Sequence, residues 1–255
     1  MAIASDEATI GVAMTFRASE FEFRYRFWFI AGIIWLGFLL YNVDHTNLSV
    51  ALARAIVGSP DRNPIAFDHW VRAFFWLGTA IVAFAAWIRS WAESYLHSSI
   101  VHDAALHSEQ LVADGPFRYL RNPLYLGTIL LPVGLGVLAS ATGAVIMSVG
   151  MTLFVYRLIL REEATLLQSQ GESYRRYFNA VPRLIPSLRP RVPASGAKPN
   201  WVDGFTGEIF MWAGAAAMAV FAITERLRYF WIALGSGFVV YFLQYFFRIR
   251  RKSPA

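Results

Sequence analysis

Two polar clusters flank a long uncharged stretch of this chain, and they hold the residues best suited to chemistry. The first, GPFRYLRNPLYLG at 115–127, places Arg118 and Arg121 just ahead of Asn122, Pro123 and Tyr125. Guanidiniums, an amide and a phenol at the start of a helix make a seat for an anion, because the N–H groups of a first turn are themselves unpaired. The second, YRLILREEATLLQSQGESYRRYFNAVPRLIP at 156–186, places Arg157 and Arg161 one turn apart and follows them with Glu162 and Glu163. Paired carboxylates where a spanning helix leaves the membrane run against the helix dipole, which favours cations at a C-terminus. They ask for a positive partner, either the arginines of the first cluster or a cationic ligand. By residue type alone, the first cluster also reads as a basic interfacial anchor and the second as part of an intramolecular ion-pair network.

The elements that position these clusters follow from composition. The 255 residues are 56% hydrophobic, 16% aromatic and only 16% charged, with a mean hydropathy of +0.43. That leaves too little polar surface to coat a soluble globule, so the expected fold is all-α, a polytopic integral membrane bundle. A spanning helix needs about 20 apolar residues, and six windows approach that length. They are 27–43, 73–88, 209–224, 229–247 and two arms of the run 122–156, split at LASATG where Ser140 and Gly143 offer a tight turn. Pro123 suits the first turn of the first arm, where its missing N–H is no loss.

Charge sets the expected orientation. Residues 157–200 hold eight basic side chains against three glutamates, whereas the loop 42–69 holds Arg54 and Arg62 with three aspartates. By the positive-inside rule, six spans place both termini and both clusters in the cytoplasm. The net charge of +6 then reflects topology and attraction to anionic headgroups rather than nucleic acid, which would want a soluble basic module. Asp6, Glu7, Glu20 and Glu22 ahead of the first apolar run make it an anchor rather than a cleaved signal. With no cysteine there is no disulfide, thiolate nucleophile or thiolate metal site. His97, His102 and His107 recur every five residues, so they do not share a helical face, and no metal site is expected. The glycines at 134–136 and 235–237 follow no strand and read as helix-packing positions rather than a dinucleotide fingerprint. Boundaries are expected at 1–106, 107–188, a proline-rich surface linker at 189–200, and a C-terminal hairpin at 201–255, with Trp201 as an interfacial anchor.

GPFRYLRNPLYLG resembles the G-x-Y-x-x-x-R-H-P-x-Y-x-G signature of the isoprenylcysteine carboxyl methyltransferases and their phospholipid methyltransferase relatives. REEATLLQSQGESYRRYFNAVPRLIP resembles the second signature: two glutamates, seven residues, a glycine, two tyrosines three apart, then V-P-x-x-I-P. Arg121, Pro123, Tyr125 and Gly127 match the first, and Glu162, Glu163, Gly171, Tyr174, Tyr177, Pro182 and Pro186 the second. The family's histidine before the proline is Asn122 here, an amide that donates and accepts but cannot titrate. The resemblance covers about 107–188 and implies a membrane-embedded methyltransferase that uses S-adenosylmethionine on a lipidic acceptor. Implied cofactor-binding residues are His107, which is offset by two positions from the family histidine, Arg121, Asn122, Tyr125, Glu162, Glu163 and Tyr174. Arg157 is expected to steer an anionic acceptor, and Glu163 or Tyr177 to deprotonate an amine. Carboxyl O-methylation of an isoprenylcysteine-like substrate comes first and phospholipid N-methylation second. A sterol-reductase-like enzyme and a non-catalytic membrane protein are the readings from other classes.

Overall fold

A computed structural model of the protein describes residues 16–103 and 113–252. The described chain forms α1 (Glu20–Arg24), α2 (Arg26–Leu39), α3 (Leu48–Val57), α4 (Pro64–Asp103), α5 (Pro123–Leu135), α6 (Ala141–Ala180), α7 (Trp201–Gly207), α8 (Ile209–Thr224) and α9 (Leu227–Lys252). No strand occurs among the described residues; the one β-bridge joins Asn47 to Ser140.

Two 40-residue helices, α4 and α6, are the columns of the bundle. α5 lies between them, α2 packs on the far side of α6, and α7 and α8 pack on α4, with α9 returning along α8. Each of the six expected windows is helical. By length and apolarity two described helices can cross a membrane, Pro64–Leu96 and Ala141–Ala180. A third joins them if the pair Trp201–Gly207 and Ile209–Thr224, bent by 65°, counts as one broken span. Among the described residues, two or three of the six expected spans are thus long and apolar enough to reach across unaided. The thirteen residues of α5 extend about 20 Å, roughly two thirds of the hydrocarbon thickness. That helix does its work as filling between the columns.

The turn between α5 and α6 falls at the expected LASATG. Ser140 caps α6 by accepting a hydrogen bond from the Gly143 N–H at 3.1 Å, and Asp44 accepts from the Thr142 N–H and hydroxyl, both at 2.9 Å. The loop ahead of α3 thereby closes one end of the bundle.

Glycine does the packing that 134–136 foreshadowed. A Cβ on Gly134 would lie 2.6 Å from Val82 Cγ2 and 2.8 Å from the Gly78 carbonyl oxygen, so α4 and α5 touch backbone to backbone. Gly134→Val is expected to force the helices apart and cost at least 1–3 kcal/mol by the usual scale of overpacking, roughly. Gly235→Ala, where nothing lies within 4 Å, should be neutral or slightly stabilising. Thermal unfolding in detergent compares them; equal shifts would remove the close-approach argument.

Candidate cofactor site

Where the first cluster meets the second, the backbone joins before the side chains do. Gly115–Arg118 form a 3-10 turn, and beyond it the Arg121 N–H donates to the Pro182 carbonyl at 2.8 Å. Pro123 occupies the first turn of α5, and Asn122 precedes it without capping the helix through its side chain. The Asn122 amide instead donates to Glu163 Oε1 at 3.1 Å and to the Arg183 carbonyl at 3.2 Å. The position where this chain departs from the family pattern is thus a fixed strut between two helices and a loop.

Glu163 is the centre of the arrangement. Its side chain is 3% exposed and that of Arg121 is 7% exposed. Arg121 Nε donates to Oε1 at 2.8 Å, and Arg183 Nε donates to Oε2 at 2.9 Å. Arg121 also donates through Nη1 to the carbonyls of Val181, at 2.6 Å, and Phe178, and its guanidinium lies 4.0 Å from the Phe178 ring centroid. Arg183 Nη1 donates to the Tyr156 hydroxyl at 2.6 Å. One buried carboxylate between two guanidiniums and an amide has both oxygens engaged, which is the condition for holding a charge out of water.

Glu162, one residue earlier, is half-buried, and the Tyr125 hydroxyl lies beside its carboxylate. Tyr174 and Tyr177 sit beyond Gly171, where α6 is interrupted by a backbone at φ 57° and ψ −128°. That conformation is open essentially only to glycine. Past the break the helix changes direction, and Tyr174 and Tyr177 pack with Ala113 and Val181 in a buried cluster. The Tyr177 hydroxyl donates to the Phe117 carbonyl at 2.9 Å.

Arg157 faces elsewhere. It forms a bidentate pair with Glu22, Nη1 to Oε1 at 2.5 Å and Nη2 to Oε2 at 2.9 Å, and its Nε donates to the Phe16 carbonyl at 3.1 Å. Together with the Ala18 N–H donating to the Arg157 carbonyl at 3.1 Å, this clasps residues 16–22 along α6. Burial pushes the Glu22 carboxyl up, but hydrogen bonds from Ser19 and Arg157 outweigh it and hold it below the ordinary glutamate range. A folded-state value below the unfolded one stabilises the clasp above the unfolded value, and that stabilisation is lost as pH falls through the folded one. The apparent melting temperature should therefore fall more steeply for the native protein than for Glu22→Gln between about pH 5 and pH 3. Parallel slopes would show that the pair contributes nothing. His107 and the side chains of His97 and His102 lie outside the described residues.

The structure thus brings together Arg121, Asn122 and Glu163, sets Glu162 with Tyr125 beside them, places Tyr174 and Tyr177 behind, and gives Arg157 a separate partner. Residues 73–172 match the sequence profile of the phospholipid methyltransferase family. No curated protein and no solved structure matches the chain. The phospholipid methyltransferase match starts within α4, takes in Arg121, Asn122, Tyr125 and the glutamate pair, and ends just past Gly171. It stops short of Arg183, which the sequence reading had counted only as loop charge. The signal was available: an arginine between the two prolines of V-P-R-L-I-P, with a carboxylate pair upstream wanting cations.

Arg89 and Glu208 went unnoticed too, as single charges at the edges of apolar windows. Arg89 Nε and Nη2 donate to the two Glu208 oxygens at 2.7 and 2.8 Å, and Nη1 donates to Thr128 Oγ1 at 2.8 Å and the Leu124 carbonyl at 3.0 Å. This cluster ties the α7–α8 break to the first turns of α5.

Proposed function

We propose that the protein is a membrane-embedded methyltransferase that uses S-adenosylmethionine to methylate a lipidic acceptor. The observation that carries this reading is Glu163 held between Arg121 and Arg183, which locks both signature clusters into one polar centre within the stretch similar to phospholipid methyltransferases.

The residues present fit that cofactor by their donor chemistry. A methionine-derived sulfonium brings an ammonium, a carboxylate and ribose hydroxyls. Glu162, whose carboxylate lies beside the Tyr125 phenol, offers acceptor oxygens to the ammonium or the hydroxyls. Among the described residues the Arg183 guanidinium is bound through Nε and Nη1, leaving Nη2 for the carboxylate. Arg121, bound through Nε and Nη1, and Glu163, bound through both oxygens, hold the loop and helix that present these two. When bound, the sulfonium supplies an activated methyl group for in-line displacement, and the protein's contribution is alignment and exclusion of water.

Carboxyl O-methylation is the first reading for the acceptor. A carboxylate oxygen needs no base, and the two residues expected to act as one are both committed, Glu163 to its three donors and the Tyr177 hydroxyl to Phe117. The likeness to phospholipid methyltransferases favours a second reading, N-methylation of an amino headgroup, whose ammonium must first give up a proton to a base so that the nitrogen lone pair can attack. The excess of arginine around the active centre supports a cytoplasmic position for it.

Calorimetry with S-adenosylhomocysteine, on the purified protein and on Glu162→Ala, tests the cofactor. Absence of binding, or binding untouched by the substitution, would sink the proposal. Transfer of labelled methyl to prenylcysteine, isoprenoid carboxylates or phosphatidylethanolamine then separates the acceptors, and label on amines alone would overturn the first reading.

A further inference from the structure

We infer that residues 183–191 form a rigid basic wedge that inserts Ile185 and Leu188 among anionic lipid headgroups at the rim of the site. The inference rests on the protein's being embedded in a membrane and not on methyl transfer. The chain after Pro182, including residues 189–200 expected as a plain surface linker, is tied down along its length. The Ser187 N–H donates to the Tyr119 carbonyl at 3.0 Å and the Arg191 N–H to the Arg118 carbonyl at 2.8 Å. Arg118 Nε donates back to Val192 at 2.9 Å. Farther on, the buried Asp114 carboxylate accepts from the Ser195 N–H at 3.1 Å, the Ser195 hydroxyl and the Ala197 N–H at 2.9 Å. Pro186, Pro190 and Pro193 stiffen the remainder.

Despite this order, Ile185 is 82% and Leu188 100% exposed. Burying such side chains is worth about 1.5–3 kcal/mol each, and a tethered loop cannot fold back to recover it. The neighbouring residue locates the wedge. Leu184 packs against the cluster of Met151, Val155 and Ile159 on the apolar stretch of α6, so the loop meets the bundle at the level of lipid.

Charge names the occupant. Between Glu172 and Asp203 there is no acidic residue, while Arg175, Arg176, Arg189 and Arg191 are all exposed. Arg175 pairs with Glu172 at 3.8 Å, but Arg176, Arg189 and Arg191 have no acidic partner among the described residues, and apolar tips beside such arginines suit an interface where tails begin and headgroups are anionic.

The absence of cysteine makes the test clean: Leu188→Cys carries a single spin label in the full-length protein, reconstituted in nanodiscs. In phosphatidylcholine containing phosphatidylglycerol, the label should collide with oxygen far more often than with a water-soluble nickel chelate. In phosphatidylcholine alone, the balance should move toward the chelate. Arg189→Gln and Arg191→Gln, far from the polar centre, should each shift the inserted-to-exposed ratio toward water about fivefold in the anionic discs. A label open to the chelate in both lipids overturns the wedge. Equal immersion in both overturns the anionic partner. Neither outcome touches S-adenosylhomocysteine binding, so failure here and failure of the proposed function are distinguishable.

Discussion

Glu163→Gln is expected to abolish methyl transfer and to destabilise the fold by about 3 kcal/mol, because two guanidiniums then lose the carboxylate that pairs with both. Glutamine keeps the shape but offers one acceptor oxygen where two are used, so either Arg121 or Arg183 loses its bond. With Arg121 only 7% exposed, water cannot replace it. Glu162→Gln is the companion. The residue is half-buried and its carboxylate lies beside Tyr125 rather than between two guanidiniums, so the fold should change by less than about 1 kcal/mol. S-Adenosylhomocysteine affinity should fall about tenfold or more, the scale of one charge-assisted hydrogen bond. Thermal unfolding and calorimetry on both variants separate the scaffold glutamate from the binding one. Two variants with the same profile would remove that division of labour.

The second large effect lies away from the polar centre. Arg89→Met should cost about 3–5 kcal/mol, since it strands the Glu208 carboxylate among apolar helices. It also strips a donor from the Leu124 carbonyl and the Thr128 hydroxyl on the first turns of α5. The double variant Arg89→Met with Glu208→Met should recover most of that loss, because a well-packed apolar pair of similar volume is often no worse than a buried ion pair. Chemical unfolding in mixed micelles reads both. A double variant as unstable as the single would mean that packing, not the uncompensated charge, sets the cost.

These two centres differ in how far the sequence disclosed them. Glu162 and Glu163 stood out because carboxylates at that end of a helix oppose its dipole, and the demand for a positive partner led to Arg121, which the structure supplies at 2.8 Å. The apolar windows were legible for an equally direct reason: charge-free runs between single arginines and aspartates are long enough to see. How many cross unaided was not, because length alone does not separate a column from a short helix such as α5 packed between two others. Arg89 and Glu208 are 119 residues apart, and each looked like a boundary marker. Glu22 stood ahead of the first apolar run, where nothing in spacing points to Arg157, 135 residues away. The linker was read from its prolines as open surface, whereas Asp114 holds it through three hydrogen bonds whose partners share no sequence pattern.

The distance along the chain between Arg89 and Glu208 also has a bearing on biogenesis. During translation α4 enters the bilayer with Arg89 near its end, and its countercharge is not yet made. A guanidinium within a nascent span costs up to about 2.5–3.5 kcal/mol at the insertion stage, the value for the helix centre, and here that cost stands until α7 and α8 arrive. Membrane insertion and closure of the bundle are therefore separate events, and a ribosome paused before residue 208 leaves a chain that is inserted but unlatched.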